Sequence, residues 1–388
     1  MIRVYADGVL AYDSRLEEYD LQGLKITKGI NKGGAAEITM PAHHPAYGLF
    51  RGFKTIVEIY RDKSLLFRGR ALYPTDDYYN NRTVTCEGEL CFFQDAIHRP
   101  YLYQGTPADI FAAVVGVYND QVDDFKKFDI GYVGVTDANN YIRLESESAE
   151  TVMAVLSKLV ERCGGELTFT GGGDSRAMIH WVIQVGGSSD QTIEMGENLL
   201  DFSRTEANTQ LATVLVPYGA KTEEGTRVTI ASVNGGKDYI EDADAVARFG
   251  RIVTTATWDD VTEPANLLTK AREYLDERKQ VVTSLKLTAL DLSYVDKSID
   301  SFQLGATVRV RSKAHGLDEK FRLAELTEDL IRPEQSTITL GKERRSLTGM
   351  DAANVSKTKN EVTRLETTLK GGNAELKVSI EGDVLYLT

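Results

Sequence analysis

The chain is poor in the residues on which disulfide-stapled and metal-bound proteins depend. Only 3 cysteines and 5 histidines occur among its 388 residues. Three cysteines give no disulfide framework and suit synthesis in a reducing cytoplasm. No apolar run is long enough to span a bilayer, and residues 1–5 resemble the start of a strand rather than a signal peptide. The sequence therefore gives no sign of a membrane anchor.

A basic excess is also missing. The formal net charge is -13, which argues against a nucleic-acid-binding surface because such surfaces usually carry a positive balance. With 42% hydrophobic and 27% charged residues, the composition is typical of a folded globular protein. The length is sufficient for two to four domains.

The first hundred residues carry a strand pattern. Asp7-Gly8 lies between short apolar segments and favours the type I′ turn of a β-hairpin. Further strands are predicted at 24–27, 36–39, 55–60, 65–72 and 82–87, with turn residues between them. Short strands at this spacing predict a small β-barrel domain over residues 1–100.

The pattern changes after about residue 100. Thr106-Pro107 opens one helix, and a second follows Ser148 and ends at Gly164. A hairpin is predicted between 166–170 and 177–185, so residues 101–191 form an α+β insert domain. Strands at 211–218, 227–233, 284–290, 306–311, 320–326 and 336–340, with a long helix capped by Thr262, predict a second β-barrel over 192–348.

Two segments of these barrels resemble each other. Residues 55–59 lead to Phe67-Arg68 and a strand ending in Leu72, and residues 307–310 lead to Phe321-Arg322 and a strand ending in Leu326. Two interpretations remain open at this point: chance in a strand-rich chain, or duplication of one small barrel, since short repeats are weaker evidence than a sustained period.

The C-terminal segment, residues 349–388, predicts self-association. Apolar and small residues recur at heptad spacing on a charged helix, at Val355, Thr358, Val362, Leu365 and Leu369. Gly371-Gly372 ends the helix, and an alternating strand pattern follows. A stripe this narrow buries too little surface to hold an isolated helix folded, so it is expected to face copies of itself. The alternative is a terminal helix that packs on its own domain.

No catalytic or metal-binding constellation emerges from the sequence. The histidines include no HExxH or His-x-His pair, and His43-His44 is interpreted as a turn at His44-Pro45. Cys86 and Cys163 are expected in the core. Asp76-Asp77, Asp123-Asp124 and Asp259-Asp260 are interpreted as solvated turns, because none has a calcium-loop pattern. We therefore expect no catalytic residue, no cofactor and no metal.

The glycine run at 171–173, followed by Asp174-Ser175, has a superficial likeness to a phosphate-binding loop. It lacks the Gly-Lys-Ser/Thr ending and leads into a strand rather than a helix N-terminus. A hairpin turn is the prediction.

Several stretches together resemble the siphophage tail-associated family, whose members are also called prophage endopeptidase tail or minor structural proteins and are similar to the baseplate hub of contractile phages. The matching stretches follow the family's order over about residues 1–348. They are 38–41, 44–47, Phe67-Arg68-Gly69-Arg70, 86–90 with Asp95, Arg99 and Pro100, 216–220, 232–240, 289–293, 304–308, Asp329-Leu330 with Pro333, and Leu340-Gly341.

The resemblance implies a structural protein of the virion tail tip, assembled in the host cytoplasm. It implies a homotrimer whose two barrels per subunit form a ring of six that mates with a hexameric tail tube or distal tail ring. The implied partners are other copies of the chain, the distal tail protein or tail tube ring, the tape measure protein, and also receptor-binding proteins and the host cell wall.

Longer family members carry a C-terminal peptidoglycan hydrolase. This sequence has no Cys/His or zinc signature for one, so the enzymatic part of the family's name is not carried over. Two alternatives to the structural role remain at this stage: a hydrolase of cell-wall peptide or glycan, and an adhesin that stacks sugars on Tyr78-Tyr79 or on Tyr101 and Tyr103.

Overall fold

Strands dominate the fold and helices are few, as the sequence predicts. The computed structural model describes residues 1–136, 141–171, 176–207, 211–222, 225–259, 261–279, 282–296, 298–341, 378–381 and 384–387. Within this part, a 14-stranded sheet curls into a half-barrel and smaller sheets accompany it.

The chain begins with a run of strands. They are β1 (Ile2–Ala6), β2 (Val9–Asp13), β3 (Gly23–Gly29), β4 (Ala35–Met40), β5 (Ile56–Arg61), β6 (Ser64–Ala71), β7 (Thr75–Asp76) and β8 (Arg82–Gly88). The predicted hairpin turn forms, with φ of 49° at Asp7 and 78° at Gly8. Inward-facing residues such as Val4, Leu24 and Ile59 make a buried cluster, here called the first core.

Helices pack on short strands in the next part. Its elements are β9 (Ile97–His98), β10 (Tyr101–Gly105), α1 (Pro107–Asn119), β11 (Phe128–Val133), β12 (Ile142–Ser146), β13 (Glu150–Thr151), α2 (Val152–Cys163), β14 (Glu166–Thr170) and β15 (Ala177–Val182). Phe93, Tyr118, Leu156 and Trp181 belong to their shared buried cluster, the middle core. The predicted hairpin of β14 and β15 is confirmed.

The remaining elements return to strands. They are β16 (Ser188–Glu194), β17 (Leu199–Ala207), β18 (Val214–Tyr218), β19 (Ile240–Glu241), α3 (Ala243–Phe249), β20 (Val253–Thr257), α4 (Pro264–Arg278), β21 (Val282–Ala289), β22 (Thr307–Ser312), β23 (Leu317–Asp329), β24 (Thr337–Gly341), β25 (Val378–Glu381) and β26 (Val384–Leu387). Leu285, Val308, Leu323 and Ile338 belong to the third core.

Local signals place most helix ends correctly. Thr106 caps α1 by accepting a bond from the backbone N–H of Asp109 at 3.1 Å, and Gly164 follows the end of α2 with φ of 72°. The cap predicted at Thr262 is wrong, because Pro264 occupies the first turn of α4 and Glu263 takes the cap position.

The strand predicted at 227–233 is also wrong. Residues Ala231–Val233 form a short 3-10 helix, and Ile230 is buried against Val261 and Leu267. The apolar alternation reflects packing against α4 rather than pairing in a ladder. β18, β19 and β20 form a small sheet of their own between β17 and β21, and Leu215 of this sheet packs against α4.

One antiparallel pairing joins the first strands of the chain to the last strands of the third core. The main path of the sheet runs β17-β21-β24-β23-β3-β4-β8-β6-β5-β1-β2, so β3 lies beside β23. The register runs from Glu325 opposite Gly29 to Asp329 opposite Lys25, and we call this pairing the seam. Strands of the first and third cores therefore belong to one continuous sheet.

Charged side chains cross the seam. Glu328 accepts a bond from Arg61 at 2.9 Å and lies 3.6 Å from the ammonium of Lys28, and Lys32 bonds Glu325 at 2.8 Å. The hydroxyls of Thr27 and Thr327 meet at 3.1 Å. Positive side chains therefore come from the first part of the chain and negative ones from β23.

The two similar segments both fold as antiparallel hairpins, β5 with β6 and β22 with β23. Phe67 lies opposite Ile59, whereas Phe321 lies opposite Val308. The phenylalanines therefore do not occupy equivalent points of their hairpins, and the similarity does not extend to register.

Replacing Glu328 with glutamine tests the seam. The side chain of Glu328 is 8% exposed and that of Arg61 is 19% exposed, so the substitution leaves two cations without their shared counter-ion in a shielded place. We expect the free energy of unfolding to fall by about 3 kcal/mol. Urea unfolding followed by circular dichroism measures the change.

Glu325→Gln is the matched control on the same strand. Its carboxylate is 32% exposed and its partner Lys32 is 38% exposed, so we expect a loss below about 1 kcal/mol. Equal losses for the two variants would contradict the role given to the charges at Glu328.

Candidate functional site

The residues predicted to mediate oligomerisation, Val355, Thr358, Val362, Leu365 and Leu369, lie outside the described residues. Beyond them, β25 and β26 pair as an antiparallel hairpin. The heptad helix and the oligomerisation tail stay predictions.

Cys86, Cys91 and His44 lie in structural positions. Burial raises the pKa of the Cys86 thiol, and it raises that of Cys91 to about 12. Neither supplies a thiolate nucleophile near neutral pH. His44 is buried and accepts a bond from the backbone N–H of Ala46 at 3.1 Å, which confirms the turn at His44-Pro45.

The acidic doublets have local partners. Asp76 pairs with Arg82, Asp124 with Lys127 and Asp259 with Arg227. Across the described ranges, no three His, Cys, Asp or Glu side chains group closely enough to hold a metal ion. Among the same residues, no helix combines the length and apolar character needed to cross a membrane.

The tyrosines proposed for sugar stacking divide into two kinds. Tyr78 and Tyr79 are strongly exposed, as expected. Tyr101 and Tyr103 are half-buried against the middle core, and their hydroxyls bond Glu150 at 2.7 Å and His98 at 2.8 Å. This second pair therefore offers no open ring face comparable with the first.

The first joint between cores is built on Arg68 of β6. Its guanidinium donates to Glu89 at 2.5 Å, lies 3.5 Å from Glu58 and donates to the backbone carbonyl of Phe125 at 3.1 Å. Glu58 belongs to β5, whereas Phe125 precedes β11, whose Phe128 belongs to the middle core. One arginine thus holds the sheet of the first core against the middle core.

A second joint is built on Arg322 of β23. Arg322 makes a two-pronged ion pair with Glu166 of β14, at 2.5 and 2.7 Å, and also donates to the carbonyls of Val185 and Gly305. Glu166 is buried and accepts a further bond from the N–H of Val185. Paired planar groups of this kind fix orientation as well as distance.

Asn31 forms a third joint, in the turn after β3. Its buried amide donates to the carbonyl of Gly165 at 3.1 Å and accepts from the N–H of Leu167 at 2.8 Å. Its backbone has φ of 55°, a conformation that asparagine tolerates better than most residues. The side chain therefore takes the place of a strand partner for β14.

No sequence motif marks Glu89, Glu166 or Asn31 as joint residues. The one signal for the joints was the repeated Phe-Arg pair, since Arg68 and Arg322 are the arginines of the two similar segments. In both places the arginine binds a shielded glutamate and a backbone carbonyl near the middle core. The described residues of these joints form ion pairs and hydrogen bonds between the cores.

The third core lies in the part of the chain that matches a family model. Residues 188–350 match the prophage endopeptidase tail family. The prophage tail resemblance predicted from the sequence is thereby confirmed for this stretch, which includes β16 to β24 and the small sheet with α4.

Solved prophage tail proteins share the fold over most of the chain. The 43 kDa tail protein of prophage MuSo2 from Shewanella oneidensis is 14% identical, with a TM-score of 0.60 over 89% of this chain and 98% of that one. A tail protein from Neisseria meningitidis MC58 is 13% identical, with a TM-score of 0.62 over 89% and 98%. Prophage tail protein gp18 from Listeria monocytogenes is 12% identical, with a TM-score of 0.57 over 92% and 99%. No curated protein matches the sequence.

The joint at Arg68 predicts a pH dependence of stability. Burial raises the pKa of Glu89 to about 7, the nearby Arg68 opposes this rise, and Glu58 adds to it. For the pKa of Glu89, burial outweighs the effect of Arg68, whose guanidinium is shared with the second shielded carboxylate, Glu58. The folded state holds the Glu89 proton more tightly than the unfolded chain, whose carboxyl titrates near 4.5. The stabilisation from this proton is present below pH 4.5 and is lost as pH rises through 7.

Comparing the wild type with Glu89→Gln measures this effect. The glutamine variant cannot ionise, so we expect the wild type to lose on the order of 2 to 3 kcal/mol relative to it between pH 4.5 and pH 8. Chemical unfolding at several pH values gives the difference. A difference between the two proteins that does not change with pH would contradict the raised pKa.

Proposed function

We propose that the chain is a structural hub protein at the tail tip of a siphophage or prophage, without enzymatic activity. In this proposal it is a trimeric adaptor and plug that joins the tail tube or distal tail ring to the tip. The family match of residues 188–350 and the fold shared with prophage tail proteins support a tail role.

The observation that carries the proposal is the continuity of the body across the seam. β3 and β23 place the first and third cores in one sheet, and the arginine joints fix the middle core to both. A hub must transmit force between the tail tube above it and the tail tip below it without separation of its own domains. A body locked at its internal boundaries suits that task better than one built around a moving cleft.

The proposed organisation follows the four predicted segments. Residues 1–100 and 192–348 supply two barrel-like hub domains, 101–191 supply the insert, and 349–388 supply the oligomerisation tail. Three copies would present six such domains around an axis and so match a sixfold tail tube. The heptad residues Val355, Thr358, Val362, Leu365 and Leu369 would lie along the threefold axis.

The proposed partners are other copies of the chain, the distal tail protein or tail tube ring, and the tape measure protein. Receptor-binding proteins and the host cell wall would lie below the tip. The protein would assemble in the host cytoplasm and act in the virion. The acidic balance of the chain suits contact with complementary, basic surfaces on neighbouring proteins.

Light scattering on the full chain and on a version that ends at Gly349 tests the trimer. We expect a threefold mass for the full chain and its loss on truncation, because the heptad segment would hold the axis. A threefold mass that survives truncation would place the main interface among the strands of residues 1–341. A monomer at every concentration would contradict a self-assembling trimer.

Paired substitutions separate the heptad stripe from the rest of its helix. Val362→Asp with Leu365→Asp places charge on the stripe, and we expect the threefold mass to disappear. Asn360→Asp with Thr367→Asp adds the same charge at heptad positions away from the stripe, and we expect the mass to remain. Loss of the trimer in both variants would point to general helix destabilisation instead.

A further inference from the structure

A loop beside β7 displays two tyrosines almost completely. Tyr78 is 92% exposed and Tyr79 is 77% exposed, and their rings meet edge to face with centroids 5.2 Å apart and planes at 87°. The two rings form two walls of an open corner. We call residues 76–82 the tyrosine loop.

The tyrosine loop is held in one shape by its own side chains. Asp77 accepts bonds from the N–H groups of Tyr79 and Asn81, both at 2.8 Å, and from the side-chain amide of Asn81 at 2.9 Å. Arg82 makes a two-pronged pair with Asp76 at 2.7 and 2.8 Å. Tyr47 donates to Asp76 and to the carbonyl of Asn80, both at 3.1 Å. Because the loop is already ordered, it would lose little conformational entropy when a partner binds.

Exposed apolar rings on a preorganised loop are the kind of group that dominates binding energy at protein interfaces. Their ring faces are also negatively polarised and attract cations. Two other tyrosine rings already carry a guanidinium: Arg82 of the loop itself lies 3.9 Å from the ring centre of Tyr47, and Arg61 lies 4.6 Å from that of Tyr294. In the described part of the chain, no cation lies over Tyr78 or Tyr79.

The charge beneath the rings has the matching sign. Arg82 neutralises Asp76, but the bonds to Asp77 come from neutral groups, and the side-chain and backbone bonds from Asn81 lower the pKa of Asp77. A fixed negative charge therefore lies at the base of the tyrosine loop. Together with the net charge of -13, it favours a positively charged occupant.

A glycan fits this geometry less well. Sugar rings stack flat on an aromatic face and need nearby carboxylates or amides for their hydroxyls. Here the two tyrosine planes are nearly perpendicular, and the carboxylates of Asp76 and Asp77 are already engaged within the loop.

From this geometry we infer that the tyrosine loop is a docking site for a neighbouring tail protein, which places an arginine or lysine with apolar flanks in the corner formed by the ring faces of Tyr78 and Tyr79. The inference rests on the proposed function, since it takes the partner from the tail. It adds a specific contact that the hub role by itself does not require.

Photo-crosslinking in assembled tails identifies the occupant. With p-benzoylphenylalanine in place of Tyr78, we expect mass spectrometry to find a crosslinked peptide of another tail protein that contains an arginine or lysine beside apolar residues. The same probe at Tyr132, which is 67% exposed and lies on β11, is the control and should not give that peptide. Crosslinks to a second copy of this chain or to cell-wall glycan, or none at all, would overturn the inference.

Affinity measurements with the purified partner then test the chemistry. Tyr78→Phe keeps the ring face and should bind within about 2-fold of the wild type. Tyr78→Leu with Tyr79→Leu keeps apolar bulk without the ring faces, and we expect binding about 3- to 30-fold weaker. Tyr73→Leu is the matched control, because Tyr73 is exposed outside the loop and packs against Phe53, and it should leave affinity unchanged. If the leucine pair bound as tightly as the wild type, a cation contact would be excluded.

Two further measurements keep the outcomes separate. Reversing the charge of the crosslinked arginine or lysine on the partner should weaken binding to the wild type more than binding to the leucine pair, which keeps the charge of Asp77 but lacks the ring faces. Light scattering on the tyrosine variants should give the mass of the wild-type chain. Normal self-assembly with unchanged partner affinity would reject the docking site alone, whereas a monomeric wild type would reject the trimer.

Discussion

The pairing of β3 with β23 is the constraint on which the other long-range contacts depend. It joins residues about three hundred positions apart, as the contact between Thr27 and Thr327 illustrates. Once β23 is fixed beside β3, Arg322 lies within reach of Glu166, and the turn after β3 brings Asn31 to β14. The middle core is then held from both sides, by Arg68 from the first core and by Arg322 from the third. The fixed body proposed for the hub follows from that closure.

Sequence patterns predicted the local features because local chemistry decides them. The hairpin at Asp7-Gly8, the cap at Thr106 and the stop at Gly164 each depend on a few neighbouring residues. Ile230 misled the strand prediction because a residue packed under α4 shows the same apolar alternation as a strand residue. The seam left no local trace, since its lysines and glutamates resemble ordinary solvent-facing residues until the register brings them together.

The candidate site was harder to foresee for the same reason. The exposed tyrosine pair was visible as Tyr78-Tyr79, but its ordering by Asp77 and Arg82 depends on a turn that sequence does not specify. The arginine joints were visible only as a repeated Phe-Arg pair of unknown purpose. The heptad stripe from Val355 to Leu369 stays a prediction, and so do the barrel boundaries and the trimer.

The seam also bears on how the chain is made. A ribosome completes β3 long before β23 emerges, so the strands of the first core spend most of synthesis with an open edge. Open edges invite pairing between nascent chains, and lysine side chains are a common protection against it. Lys25, Lys28 and Lys32 line this edge and its following turn. The same positive charges that repel a second unfinished chain later attract the acidic β23 of their own chain. One set of lysine side chains thus first opposes intermolecular strand pairing and then stabilises the intramolecular pairing of β3 with β23.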